Sequence, residues 1–194
     1  MGIEDDNIWT SNYDNSVEIM GQEIGDGNAY SIAHRTIRLN GEETNLIFIV
    51  VRGSVTVNEF IGDHYAEANR DVLGYTAYDY VEDFEKKVWE DVKKYANAHE
   101  DLYDKPRAFF ITGHSLGGAA ANLIAALANN PETGDSWIFM DTDTSRIFSY
   151  TYGAIDSIWD DGKEDFPVTT GYDHILNIYN YFDTFGPNGR ETLT

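Results

Sequence analysis

One stretch limits what this chain can fold into more than any other: Arg107-Ala-Phe-Phe-Ile-Thr-Gly-His-Ser-Leu-Gly-Gly-Ala-Ala-Ala-Asn122. The apolar residues 108–111 read as a short buried strand. The run breaks at Gly113-His114-Ser115-Leu116-Gly117-Gly118, and an alanine-rich helical segment follows at once. A strand, a tight turn with serine at its apex and a helix form the context in which Gly-x-Ser-x-Gly presents a nucleophile. Glycines two residues before and two after Ser115 allow strand and helix to approach closely, and a strained turn lifts the hydroxyl clear of the backbone. The helix N-terminus beyond the serine adds partial positive charge where an oxyanion would form. A chance glycine-rich turn is the plainer reading, but the flanking strand and helix favour the nucleophile. A phosphate-binding loop is the other reading, and it fails because Ala119 and Ala120 follow Gly118 where that motif needs Lys and Ser or Thr.

The 194 residues suit one domain with a sizeable core. Thirteen basic against 34 acidic residues leave a formal net charge of −21. Such a surface repels nucleic acid and anionic membrane, and leaves room for a neutral, apolar substrate at a local patch. With no cysteine there is neither a disulfide nor a thiolate zinc site. No stretch of about 18 apolar residues is present, so no transmembrane segment is expected. The acidic, polar start, Met1-Gly-Ile-Glu-Asp-Asp-Asn7, is the opposite of a secretory signal. Localisation stays open, with secretion of the parent protein compatible with the sequence.

Along the chain, residues 1–28 are rich in Asp, Asn and Gly and read as an irregular lead-in, and 29–194 as a single domain. Residues 29–38 alternate as a strand near an edge, Asn40-Gly41 supplies hairpin turn chemistry, and residues 46–51 look like a strand buried on both faces. After Arg52-Gly53-Ser54, residues 55–63 carry Val57, Phe60 and Ile61 at helical spacing in a short amphipathic segment. Residues 64–74 look irregular. Ala77, Val81, Phe84, Val88 and Val92 then set helix periodicity over 75–96, with its lysines and glutamates on a solvated face. The serine-bearing helix runs from 115 to about 129, and strands are expected at 147–152 and 175–179. Strands alternating with helices of this length predict an α/β fold with a mostly parallel central sheet and helices on both faces.

An activated serine needs a general base, a group orienting that base, and donors for the oxyanion. The backbone N–H of Leu116 is the first donor expected. A second should come from a loop after an earlier buried strand, where Ser54 stands; a helix cap is its plainer role. For the acid, Asp183 and Asp156 both follow strands. Asp141-Thr-Asp-Thr-Ser145 looks like the opening of a calcium loop but lacks the Gly and closing Glu, and reads as a surface turn.

Val51-Arg52-Gly53-Ser54, Gly113-His-Ser-Leu-Gly-Gly118, Thr151-Tyr-Gly-Ala154 and Asn180-Tyr-Phe-Asp183, in this order and spacing, resemble the class 3 lipases, α/β-hydrolases of the fungal-lipase type. The resemblance covers roughly residues 29–187. It implies a lipase or esterase acting on acylglycerols or other apolar acyl esters through an acyl-enzyme, with no metal or organic cofactor. By the same resemblance Ser54 joins Leu116 in the oxyanion hole, Val57, Phe60 and Ile61 belong to a lid over the acyl pocket, and Asp183 rather than Asp156 is the triad acid. Two departures are Ile155 where the family carries Pro, and Asp183-Thr-Phe-Gly-Pro187 in place of Asp-x-Val-Pro. The large one is histidine: the triad base lies beyond the acid in the family, and no His follows Asp183 here.

None of the five histidines is an obvious substitute. His114 neighbours the nucleophile, but successive side chains around a turn diverge. His174 opens the strand that delivers Asp183, about 25–30 Å from it. His99 lies past a surface helix, and His34 sits within an early strand. His64, after the lid-like segment, is the only one with a route to the mouth of the site. The expectation is therefore a chain truncated before its base, an α/β-hydrolase fold incomplete at the C-terminus. The alternative is a non-catalytic lipid- or protein-binding domain that keeps the fold.

Overall fold

A computed structural model of the chain describes residues 8–10, 16–19, 22–25, 29–53, 68–72, 75–78, 82–128, 142, 144–154, 158–159 and 174–178. Its centre is the hairpin of β4 (Tyr30–Leu39) and β5 (Glu42–Val51). Asn40 and Gly41 join them with φ of 51° and 89°, the two positive values a type I′ turn requires. Strand β5 then pairs in parallel with β8 (Arg107–His114), β8 with β9 (Ile147–Tyr152), and β9 with β11 (Ile175–Ile178). On the other side, β1 (Ile8–Thr10) adds to β4 antiparallel, giving the six-stranded order β1-β4-β5-β8-β9-β11. Smaller sheets are formed by β2 (Ser16–Ile19) with β3 (Gln22–Gly25), and by β6 (Ala68–Val72), β7 (Tyr75–Tyr78) and β10 (Ile158–Trp159).

Two helices, α1 (Glu82–Ala98) and α2 (Leu116–Ala128), cover one face of the large sheet. The register shows this directly: Ile32, Ile49, Ile111 and Ser149 are successive partners across four strands and all are buried. They share their face with Tyr30, whose hydroxyl donates to Asp91 of α1 at 2.6 Å, and with Thr151, bonded to Asn122 of α2. Val88, Val92, Leu123 and Ile124 fill the space between helices and sheet. The fold is that of an α/β-hydrolase, with its helices on this face among the described residues.

Three expectations change. Residues 46–51 are not buried on both faces: Ile47, Ile49 and Val51 are buried, while Val50 on the other face is 47% exposed. Leu46 and Phe48 on that face are half-buried, so the run is fully buried on one side and partly buried on the other. Residues 75–78 form β7 and not the first turn of α1, which starts at Glu82. Ala77 stands four residues before Val81 and so imitates helical spacing, but it pairs with Ile158 and Arg70 in a sheet. Residues 8–10, 16–19, 22–25 and 68–72, read as irregular, are strands. Each is too short for a periodic signal, and pairing with a partner decides it.

Candidate active site

Strand β8 extends further than its apolar run, through Gly113 to His114, and α2 begins at Leu116. Ser115 alone joins them, with φ of 56°, a left-handed conformation that costs a non-glycine residue about 1–2 kcal/mol. Three backbone bonds hold it there. Its N–H donates to the carbonyl of Tyr152 at the end of β9 (3.0 Å), and its own carbonyl accepts from Gly118 (2.9 Å) and Ala119 (3.0 Å). Ser115 is thus the residue that caps α2, and the N–H of Leu116, in the first turn, has no backbone acceptor among the described residues. A donor near the helix's positive end is left beside the serine.

The glycines explain how tightly this corner closes. A Cβ on Gly113 would lie within 3.0 Å of the Gly117 carbonyl, and one on Gly117 within 3.0 Å of the carbonyls of Val51 and Arg52. Strand β8, the first turn of α2 and the exit from β5 therefore meet backbone to backbone. Gly53 packs on Ser115: a Cβ there would sit 2.5 Å from the His114 carbonyl and 3.5 Å from Cβ of Ser115. The residue before Ser54 is thus packed against the serine turn.

Ser54, Val57, Phe60, Ile61, His64, Asp156 and Asp183 lie outside the described residues. Gly53, Ala154 and Ile178 are the described residues that precede the stretches containing them. Strands β5, β8, β9 and β11 run parallel, so their carboxyl ends share one edge, and β11 ends at Ile178, five residues before Asp183.

Four histidines are placed. His114 is exposed and adjoins Ser115, and among the described residues no hydrogen bond connects the two. His174 starts β11 at the amino end of the parallel strands, its carbonyl accepting from the N–H of Ser149 at 2.8 Å, as its position in the sequence predicts. His34 is buried in β4, deeper than the half-burial typical of a strand residue. Its Nδ1 stands 2.7 Å from the Tyr95 hydroxyl and its Nε2 3.4 Å from the carboxylate of Asp101. The neutral ring protonated at Nε2 satisfies both, donating to Asp101 and accepting from Tyr95. Burial lowers the His34 pKa below its usual value, against the opposing pull of Asp101, and burial likewise raises that of Tyr95. His99 stacks on Tyr95 at 4.2 Å between ring centroids. This cluster is at the amino end of the parallel strands: His34 is opposite Ile47, Ile47 opposite Phe109, and Ser115 is six residues further, about 20 Å away.

Asn122 and Asn177, to which the sequence assigns no role, are gathered beside the serine corner with Thr151 and Ala154 of the Thr151-Tyr-Gly-Ala154 motif. Asn122 Oδ1 accepts from Ser149 (3.2 Å) and Thr151 (3.1 Å). The carboxamide of Asn177 brackets Ala154, and the Ala154 Cβ lies 2.7 Å from where a Cβ of Gly118 would be. A polar residue at the centre of the apolar Ile175-Leu-Asn-Ile178 was the available signal.

The described residues hold no group of three or more His, Cys, Asp or Glu that could bind a metal, and no helix long and apolar enough to cross a membrane. No curated protein matches the chain. Among solved structures it is similar to the triacylglyceride lipase of Rhizomucor miehei, at 23% identity over 79% of this chain and 51% of that one, with a TM-score of 0.49. It is similar also to the lipase of Rhizopus microsporus var. chinensis (18% identity, 79% and 47% covered, TM-score 0.45). A third is the mono- and diacylglycerol lipase of Aspergillus oryzae (18% identity, 66% and 55% covered, TM-score 0.35). The chain spans about half the length of these solved lipases. The family model described as Lipase (class 3) matches residues 48–183, the span that contains the β5 exit, the serine corner and Asp183, and the chain belongs to that family.

Proposed function

We propose that this chain carries the nucleophile of a serine carboxylic-ester hydrolase, a lipase or esterase acting on acylglycerols or other apolar acyl esters. The observation that supports it most is Ser115 held at positive φ between β8 and α2, with the exit of β5 packed against it. A strained serine bonded to a neighbouring strand and capping a helix is costly to maintain for structure alone.

In this reading the Ser115 hydroxyl attacks the ester carbonyl carbon as its proton passes to a histidine. The carbonyl π electrons move to oxygen, and the N–H groups of Leu116 and Ser54 hold the oxyanion. The histidine returns the proton to the leaving alkoxide, so an alcohol departs and an acyl-Ser115 ester remains. Water, deprotonated by the same histidine, releases the acid and restores the serine. Asp183 orients the base, which lies outside the described residues. Val57, Phe60 and Ile61 form the apolar lid over the acyl chain. No metal or organic cofactor takes part, and the net negative charge directs the site to neutral substrates.

A fluorophosphonate probe and a p-nitrophenyl acyl ester series test this on the full-length protein. Covalent labelling at Ser115 is expected, with ester turnover that Ser115→Ala reduces by roughly 10⁴-fold or more. A folded protein that neither labels nor hydrolyses is instead a non-catalytic binding domain on the hydrolase fold.

A further inference from the structure

Among the described residues the pairing of β9 with β11 reaches Tyr152 and Ile178. The last ladder bond there runs from the Gly153 N–H to the Ile178 carbonyl at 2.8 Å. Gly153 then turns the chain away with φ of 53°. The next residue, Ala154, is 1% exposed, and its peptide groups have left the ladder without reaching water. A buried N–H and a buried carbonyl must find partners. The Asn177 side chain supplies both: its Oδ1 accepts from the Ala154 N–H at 3.1 Å, and its Nδ2 donates to the Ala154 carbonyl at 3.0 Å. The carboxamide here acts as a peptide group, extending the β9–β11 ladder by one rung.

That rung touches the nucleophile corner on its other side. Ala154 packs on Gly118 in the first turn of α2, and the residue two before it, Tyr152, accepts from the Ser115 N–H. The Thr151 hydroxyl, 3.3 Å from Asn177 Oδ1 and 3.1 Å from Asn122 Oδ1, ties the same strand end to α2. A continuous path of backbone and buried polar contacts runs from β11 to Ser115.

We propose that Asn177 is a positioning residue of the hydrolytic site, its two bonds to Ala154 fixing the end of β11 against the turn that carries Ser115. This rests on the hydrolase reading above. Asn177 touches neither substrate nor reacting atom; it acts through Ala154. A nucleophile and acid brought from separate strands need such a fixed separation, because a misplacement of about 1 Å costs on the order of 100-fold in rate.

The test compares the full-length protein with Asn177→Ala and Asn177→Asp, with folding checked by circular dichroism and melting. Asn177→Ala is expected to lower kcat by roughly 10- to 100-fold at nearly constant KM. Asn177→Asp keeps the acceptor for the Ala154 N–H but sets a second carboxylate oxygen against the Ala154 carbonyl. Protonating that carboxyl restores the donor, so kcat of Asn177→Asp relative to the parent should rise as pH falls, while the ratio for Asn177→Ala stays flat. A folded Asn177→Ala or Asn177→Asp with parental kcat at every pH overturns the positioning role and leaves the hydrolase reading intact. So does a deficit in Asn177→Asp that does not change with pH. A parent that neither labels at Ser115 nor responds to Ser115→Ala overturns both.

Discussion

The two ends of the parallel strands are built differently. At the carboxyl end, Gly53, Gly113, Gly117 and Gly118 bring backbones into direct contact, and one serine is held in a strained conformation. At the amino end, His34, Tyr95, His99 and Asp101 do the work with side chains, each bonded to another or to backbone. The amino end even contains a His–carboxylate pair, the combination a serine hydrolase requires. It lies about 20 Å from Ser115, with the other ring nitrogen engaged by Tyr95. The right residue types in the wrong place make a structural cluster, and the distance to Ser115 and the bond to Tyr95 separate the two readings.

Substitutions can break this contrast. The largest effect is expected from Gly117→Ala, because the new methyl meets the carbonyls of Val51 and Arg52 and neither is a flexible side chain. A loss of roughly 3 kcal/mol or more, or failure to fold, should appear in chemical denaturation. A mild effect would mean that the corner is less tightly closed than its glycines indicate.

Next is His34→Ala at the opposite end, which leaves a cavity and removes the 2.7 Å bond to the Tyr95 hydroxyl. Stability should fall by about 2–3 kcal/mol while kcat per folded molecule is unchanged. A large fall in kcat would show that the amino-end cluster reaches the site.

Strain at Ser115 is smaller. Ser115→Gly should be more stable than Ser115→Ala by about 1 kcal/mol, since glycine accepts φ of 56° and alanine does not. Equal melting temperatures would argue that the turn relaxes once the hydroxyl is gone.

The smallest effect is in pH dependence. Folding lowers the pKa of His34 below its ordinary 6.5, so near and below that value the unfolded chain binds more protons than the folded one. The stabilisation is complete above the unfolded pKa and is lost as pH falls through the folded one. Thermal melts should therefore show a rise in stability with pH approaching 6.5 that is shallower in His34→Ala.

Much of the carboxyl end was legible in residues alone. Gly113 and Gly117 around Ser115 announced the close approach of strand and helix, and Asn40-Gly41 announced a two-residue turn. Both are local: a backbone conformation or a missing Cβ is written at the position that needs it. The amino-end cluster was not legible, because His34 lies 61 residues from Tyr95 in the chain and nothing local links the two. Nor was the strand Tyr75–Tyr78, whose Ala77 fits a helical stripe until its partners Arg70 and Ile158 are known.

The chain by itself determined the turn at Ser115, the central hairpin and the family, since these depend on short-range sterics and on motifs in fixed order. Tertiary structure alone decided that α1 and α2 share one face, that Val50 is left open on the other, and that Asn177 completes the peptide bonds of Ala154. These depend on which strands become neighbours and in what register, and register is a property of paired strands, not of either one read alone.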